Sequence, residues 1–228
     1  IEIRKAEAKK QFDRAVAAKE SADAMYANGD FAKAVTDGFT SPIKTMTRIR
    51  DNYPNTPEAQ LSALGIPICR AKLAMAQAIM EPDYEAAKLY YDKSEKLERE
   101  ARQLSNEYAG YEYLRERLAA LNFLGDSGDL EILAADRAVY EPAHQIISTA
   151  REKFTGLKEV PEYEALKQET RDQWSHKIGN KPLPDLLVER RDQLYDDIDK
   201  IIFKQRMDKL LALADQGFVS FEADTALR

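Results

Sequence analysis

The stretch YANGDFAKAV, residues 26–35, decides the fold of this chain. Apolar and small residues recur at helical spacing from Ile3 up to this stretch, which predicts a long first helix. Gly29 is typical of the end of a helix, and Asp30 is typical of the residue that caps the next one. Since so few residues separate the two helices, they are expected to form an antiparallel hairpin.

Three further joints of this kind follow, and each is a Gly or Pro, then Asp, then an aromatic residue or Leu. Their aspartates are Asp83, Asp129 and Asp185. The first and third of the four aspartates lie 99 residues apart, 129 minus 30, and the second and fourth lie 102 apart, 185 minus 83. This spacing indicates one four-helix unit present twice, at 1–106 and 107–216, with a tail at 217–228. The alternative is a non-repetitive array of helices.

The chain contains only nine Gly and nine Pro, and this scarcity favours long helices because both residues interrupt them. Ser41-Pro42 predicts an N-cap and a restart within the second helix, Thr56 predicts a cap, and Gly217 predicts the last helix end. The helices are expected at about 3–28, 31–53, 57–80, 84–105, 108–124, 129–154, 162–178 and 186–215. The prediction is an all-α fold of about eight helices in stacked antiparallel hairpins, elongated or bent.

Residues 26–35 resemble the centre of a tetratricopeptide hairpin, in which an aromatic residue precedes Gly-Asp and a small alanine follows it. Residues 80–88 repeat the pattern, with Tyr84 and Ala87 in the corresponding places. The Asn52–Ala59 run, NYPNTPEA, resembles the connector of tetratricopeptide-type proteins of the bacterial envelope. The resemblance covers about residues 10–105. The joints here are 53 (83 minus 30) and 46 (129 minus 83) residues apart, longer than the family period of about 34.

This resemblance implies a partner-binding groove, lined in that family by the first helix of each hairpin. The corresponding residues in this sequence are Lys19, Asp23, Tyr26, Lys72 and Ile79. If the groove is exposed, reversing Lys19 and Lys72 to Glu weakens association and leaves the melting temperature nearly unchanged. The alternative is that Tyr26 and Ile79 simply pack between helices.

Tyrosines concentrate between residues 84 and 113 and suggest a second partner surface. A tyrosine offers a large apolar ring with a polar hydroxyl, which suits both helix packing and protein interfaces. The candidate interface residues are Tyr108, Tyr111 and Tyr113. Packing within the fold is the alternative for the whole group.

Several other side chains could carry chemistry, but their patterns favour structural roles. Glu141 and His144 have the spacing of a di-iron helix, yet a second such pair is missing because residue 173, before His176, is Gln. The acidic run at 196–199 is expected to pair with Arg190, Arg191 and Lys200. Cys69, the single cysteine, is expected to be a buried apolar residue. We therefore expect no catalytic residue, no metal and no cofactor.

The net charge of −6 opposes binding to nucleic acid or to anionic membranes, and no transmembrane segment is expected. The function predicted is a non-catalytic interaction scaffold or structural subunit of a bacterial envelope assembly. Candidates are an adaptor and a coat or sheath component such as that of periplasmic flagella. The location expected is the periplasm or cell envelope, otherwise the cytoplasm. A small-molecule ligand is disfavoured. The alternatives are a helical enzyme or cofactor or metal carrier, and a membrane-associated helical module.

Overall fold

The computed structural model describes residues 2–120, 123 and 128–226, and within these ranges the chain is all-α, without a strand. The predicted fold class is therefore confirmed, while the arrangement of the helices as a repeat stays a prediction. The helices are α1 Glu2–Ala27, α2 Phe31–Lys33, α3 Thr40–Asn52, α4 Pro57–Met80, α5 Tyr84–Tyr108, α6 Glu112–Ala120, α7 Asp129–Phe154, α8 Val160–Lys177 and α9 Asp185–Ala226.

The predicted caps of α4 and α5 are confirmed, because both rest on local hydrogen bonds. The Thr56 hydroxyl accepts a hydrogen bond from the amide of Ala59 at 3.2 Å, and the Asp83 carboxylate accepts one from the amide of Ala86 at 2.8 Å. α8 begins two residues earlier than predicted, at Val160, and Glu159 forms a capping box with Glu162 there.

The interruption expected at Ser41-Pro42 takes the form of a π-helical segment, Ala34–Gly38, between α2 and α3. The amide of Phe39 donates to the carbonyl of Ala34, five residues back, at 3.0 Å. The predicted N-cap at Ser41 is wrong: the backbone stays helical from the π-helical segment into α3, and no side chain caps it. Pro42 lies in the first turn of α3, where its missing N–H costs little.

α4 is the central helix and packs against α1, α3, α5 and α7. By length and composition alone it could cross a membrane, which the sequence had not led us to expect. In this structure 72% of its most apolar window is buried inside the protein. A buried core helix passes the same test of length and composition, and α4 is buried between its neighbours on several sides.

The hydrophobic core runs through both predicted halves of the chain. One cluster joins Ala22 and Met75 to Leu133, Trp174 and Leu187. A second cluster joins α1, α3, α4 and α5 to α6 and Leu130 of α7. Both clusters cross the predicted boundary between residues 106 and 107. The division into two four-helix units stays a prediction. The packing of the described residues shows no separation at that boundary.

α9 is longer than predicted, and its 42 residues make a rod of about 63 Å. Gly217 lies inside this helix, so the predicted helix end and the start of a tail at that residue are wrong. Asp185 is the first helical residue rather than the cap, since the carbonyl of Pro184 accepts from the amide of Leu187 at 2.9 Å. α5 runs on to Tyr108, so that α6 begins at Glu112 rather than at 108; the predicted end of α6 lies outside the described residues.

Candidate functional site

The residues predicted to line an open groove lie in the interior instead. Tyr26 is 7% exposed and Lys72 is 3% exposed, while Lys19 and Ile79 are also buried. The reason is that α7 occupies the face of α1 and α4 that the resemblance leaves open, as the contacts of Asp129 with Lys19 and Lys72 show. Only Asp23 keeps partial exposure. The predicted groove on this face is wrong.

Lys19, Asp23 and Lys72 form a closed ring of alternating charge with Asp129 of α7. The Nζ atom of Lys19 lies 2.6 Å from Oδ2 of Asp23 and 2.5 Å from Oδ2 of Asp129. The Nζ atom of Lys72 lies 2.8 Å from Oδ1 of Asp23 and 2.5 Å from Oδ1 of Asp129. The ring has no net charge and ties α1, α4 and α7 together. Each charge has two opposite partners, which offsets part of its desolvation cost.

Burial and nearby charges shift the pKa values of Lys19, a member of this charged ring, and of Cys69. Burial lowers the pKa of Lys19, but the carboxylates of Asp129 and Asp23 more than offset this and leave it raised. The Lys19 ammonium also lies 5.2 Å from the centroid of the Phe123 ring, within the range of a cation–π contact. Burial raises the pKa of the Cys69 thiol to about 12, so the thiolate is suppressed near neutral pH. Cys69 is buried, as predicted.

Tyr26 anchors a second polar contact with α7. Its hydroxyl donates a hydrogen bond to Oδ2 of Asp136 at 3.0 Å. Burial raises the pKa of Asp136, while hydrogen bonds from Tyr26 and Tyr140 partly oppose that rise. The two residues border a cavity of about 430 Å³ between the α1–α2 turn, α7 and the connection to α9. The Asp136 carboxylate already accepts hydrogen bonds from tyrosine hydroxyls. The contact therefore positions α7 on α1 and does not leave a free carboxylate.

Glu141 and His144, the pair with metal-binding spacing, are both engaged by protein groups. The hydroxyl of Tyr84 lies 3.3 Å from Oε1 of Glu141, and the ammonium of Lys88 lies 3.0 Å from the same oxygen. Nε2 of His144 lies 3.3 Å from the carbonyl oxygen of Pro82. Among the residues that the structure describes, no group of three or more His, Cys, Asp and Glu side chains could hold a metal ion.

The acidic run at 196–199 pairs with bases, but only partly with those expected. Asp197 contacts Arg151 at 3.4 Å and Lys200 at 3.9 Å, and Asp199 contacts Lys167. Arg191 pairs with its neighbour Asp192 instead. Arg190 donates to the last carbonyls of α4, those of Ile79, Met80 and Glu81, at 3.1, 2.7 and 2.9 Å. The predicted pairing of Arg190 and Arg191 with this run is therefore wrong.

The tyrosine group separates into a buried and an exposed part. Tyr108 is buried in the core cluster around α5 and α6, whereas Tyr111 and Tyr113 are exposed. The three rings follow one another with centroid distances of 6.3 and 5.8 Å. The hydroxyl of Tyr113 donates to the side-chain oxygen of Gln60 on α4 at 2.7 Å. Tyr111 and Tyr113 thus remain available at the surface, while Tyr108 contributes to packing.

Among the described residues, the largest group of exposed apolar side chains lies on the distal part of α9, where the sequence had predicted no site. We call residues 203–217 the arm. Phe203 is 67% exposed, Leu210 is 60% exposed and Leu213 is 64% exposed, and Met207 and Leu211 are also exposed. All residues from 206 to 217 are exposed. The helical spacing of Phe203, Met207 and Leu210 was visible in the sequence, but nothing there showed that the core ends before them.

The apolar stripe of the arm faces away from the helices that α9 packs against. The buried face of α9 carries Leu194, Ile198 and Ile202, which contact α7 and α8. At 100° per residue, Phe203, Met207 and Leu210 lie roughly 120–180° around the helix from Ile198. Gln205 donates to the carbonyl of Lys158 in the loop before α8, and Arg206 contacts Glu164 of α8. The stripe therefore lies on the side of α9 that faces away from α7 and α8. It continues past the residues of α9 that pack against those two helices.

No family model, curated protein or solved structure matches this chain. The resemblance to tetratricopeptide hairpins therefore stays a prediction. The candidate functional site is the arm, because of its exposure and its chemistry. It combines at least five large apolar side chains with a helical segment that has few contacts to the rest of the described chain.

Proposed function

We propose that the protein is a non-catalytic structural subunit of a larger assembly and that the arm is its docking surface for another protein subunit. One observation supports this proposal above the others: residues 206–217 are exposed, yet they include Met207, Leu210, Leu211 and Leu213. Contiguous apolar surface of this kind is typical of interaction sites. A helical segment with little packing is marginal in water, so a partner helix would stabilise it.

The energetics favour association through the stripe. Burying one large apolar side chain contributes about 1.5–3 kcal/mol, so several together can exceed the entropic cost of binding. A single exposed leucine has no such meaning. Leu89 on α5 is 71% exposed, and within ten residues of it the only other exposed large apolar side chain that the structure describes is Met80, at 36%. Leu89 therefore serves as a control position for the arm.

The cellular location that we propose is the bacterial periplasm or cell envelope, where the subunit would act as an adaptor, or as a coat or sheath component such as that of periplasmic flagella. Support comes from the Asn52–Ala59 connector and its resemblance to envelope proteins. Fractionation of the cells that produce the protein tests this part separately. Recovery with the cytoplasmic fraction would contradict the location and would leave the docking role of the arm intact.

Site-specific photo-crosslinking in the native cell tests the docking role. A photoreactive amino acid replaces Leu211 on the arm in one variant and Leu89 on the body in the other. We expect covalent adducts with one defined protein subunit from position 211 and none from position 89. Equal yields at the two positions, or adducts only with lipid at position 211, would remove the arm as a protein docking surface.

A further inference from the structure

Three residues of the exposed stripe on α9 have the spacing of neighbouring d, a and d positions of a heptad. Phe203 and Leu210 take d positions, and Met207 takes the a position between them. α9 is helical through Ala226, so the same numbering can be continued along the helix on both sides of these residues. The sequence places Lys200, Met207, Ala214 and Phe221 at the a positions and Phe203, Leu210, Gly217 and Asp224 at the d positions.

Charge is distributed unevenly along this segment of α9. Residues 200–209 contain four bases, Lys200, Lys204, Arg206 and Lys209, against one acid, Asp208. Residues 215–226 contain three acids, Asp215, Glu222 and Asp224, and no Lys or Arg. Two copies in parallel would place like charges side by side, whereas two antiparallel copies place the basic part of each beside the acidic part of the other.

One antiparallel register matches large residues with small ones. If residue 212 of one copy lies beside residue 212 of the other, Leu210 faces the second copy's Ala214 and Met207 faces its Gly217. From the sequence numbering alone, the same register pairs Phe203 with Phe221, which are both large, and Lys200 with Asp224, which have opposite charges. Alternation of large and small residues across facing positions allows two helices to interdigitate. At each end of this register, a basic residue of one copy lies beside an acidic residue of the other.

We propose that the arm, together with the flanking residues of α9 out to 200 and 224, binds the same segment of a second copy of this chain as an antiparallel helix pair centred on residue 212. This inference rests on the proposed docking role and names the occupant of the same surface. The pair is two-fold symmetric, so every contact occurs twice and one substitution acts at two places. The bodies of the two copies then lie at opposite ends of the pair, as in a building block that extends an assembly.

The paired surface predicts a weak, reversible dimer. A 25-residue helix is about 37 Å long, and a contact strip about 10 Å wide buries on the order of 400 Å² per copy. That area is roughly half of a standard interface, so the dimer is expected to dissociate on dilution. High salt should weaken it modestly, because the exposed charge pairs at the two ends are screened.

Sedimentation velocity of the full chain, from low micromolar to near-millimolar concentration, tests for the dimer. We expect a monomer–dimer equilibrium, and we expect Leu210→Asp to weaken it at least tenfold, since the introduced charge enters two layers. Ala214→Glu should do the same, while Leu89→Asp should leave the equilibrium unchanged. Leu210 is exposed, so its replacement is not expected to unfold the body; the melting temperature checks this, and Ala214→Glu provides an independent readout.

Thiol crosslinking tests the register. A mixture of Met207→Cys and Gly217→Cys chains should link through a short bifunctional thiol reagent. Met207→Cys alone should not link, because residues 207 of the two copies are separated by about 15 Å along the helices. The native Cys69 is buried and does not compete. Efficient linking of Met207→Cys with itself would overturn the antiparallel register.

The experiments distinguish two failures: that the partner of the arm is not a second copy of this chain, and that the arm is not a docking surface at all. A chain that stays monomeric at every concentration, with position 211 still crosslinking to a different protein in cells, overturns the inferred partner and leaves the docking role standing. A monomeric chain whose position 211 forms no protein adduct overturns both. A dimer that is insensitive to Leu210→Asp and Ala214→Glu assigns self-association to another surface and overturns the inference.

Discussion

Lys72 and Asp129 are 57 positions apart in the chain, and the Nζ atom of the first lies 2.5 Å from Oδ1 of the second. This contact joins the middle of α4 to the first turn of α7, and Asp23 and Lys19 complete the ring around it. A carboxylate in the first turn of a helix is also favoured by the helix dipole. The ring therefore orients α7 on the N-terminal helices and fills the face where a groove was predicted.

Removing one member of the ring is expected to destabilise the protein strongly. Lys72→Met leaves two carboxylates facing Lys19 alone, and breaking a buried ion pair typically costs about 3–5 kcal/mol. The free energy of unfolding in urea at neutral pH measures this loss. The same reasoning replaces the prediction from sequence that Lys19→Glu with Lys72→Glu leaves the melting temperature unchanged: we now expect a large decrease.

The matched control is the exposed pair Lys9–Asp13 on α1, whose side chains are more than half exposed. Lys9→Met should change the free energy of unfolding by less than about 1 kcal/mol. The double variant Lys72→Met with Asp129→Leu should recover part of the loss, since it removes opposite charges together. Equal effects of Lys72→Met and Lys9→Met would mean that the ring is solvated and does not hold α7.

His144 is expected to make stability depend on pH in the mildly acidic range. Burial lowers its pKa and the charge of Arg190 lowers it further, while the Pro82 carbonyl and the carboxylates of Asp83 and Glu81 oppose the shift. Because the pKa in the folded state lies below the unfolded value of about 6.5, this contribution is complete above that pH. It is lost as the pH falls through the folded-state pKa.

Urea unfolding across that pH range compares the parent with His144→Gln. We expect the parent to lose stability on acidification more steeply than His144→Gln. The control is His176→Gln, at an exposed position near the end of α8, which should follow the parent curve. Parallel curves for the parent and His144→Gln would show that the imidazole is hydrated in the folded state.

Sequence predicted the features of this fold that rest on neighbouring residues. Thr56 caps its helix through an amide three residues away, and Gly29 has the left-handed φ of 79° that a helix end requires. Gly217 is also a glycine, but it lies inside a continuing helix. The residue type alone therefore did not distinguish Gly217 from Gly29. The burial of Tyr26 and Lys72 depends on α7, more than fifty positions further along the chain, and no local pattern contains that contact.

The arm shows the same limit of prediction from local sequence, here for residues that turn out to be exposed rather than buried. The apolar spacing of Phe203, Met207 and Leu210 is local and was available from the sequence. Whether such a stripe is core or surface depends on where α7 and α8 end relative to α9. The last core residues of α9 are Leu194, Ile198 and Ile202, and only the three-dimensional packing shows that the stripe beyond them is unburied among the described residues.

Arg190 is expected to stabilise the protein by satisfying the C-terminus of α4. Its guanidinium donates to the carbonyls of Ile79, Met80 and Glu81, which helix geometry leaves without intrahelical partners. Arg190→Gln should lower the free energy of unfolding by about 1.5–3 kcal/mol, the range for hydrogen bonds to charged groups. Arg190→Lys should recover only part, because an ammonium cannot reproduce the planar fork. Arg99→Gln, in an exposed pair, is the control and should have little effect.

Ala34 and Ala87 are expected to tolerate no large side chain. Both are fully buried in the same core cluster, Ala34 at the start of the π-helical segment and Ala87 in the first turn of α5. Ala34→Trp and Ala87→Trp should each lower stability by about 1–3 kcal/mol or more, because overpacking forces neighbours out of their rotamers. Ala32, two residues from Ala34, is exposed, so Ala32→Trp is the matched control and should melt within a few degrees of the parent. Thermal melts of the three variants decide the point: if all three melt together with the parent, the packing of α2 and α5 on the core differs from that described.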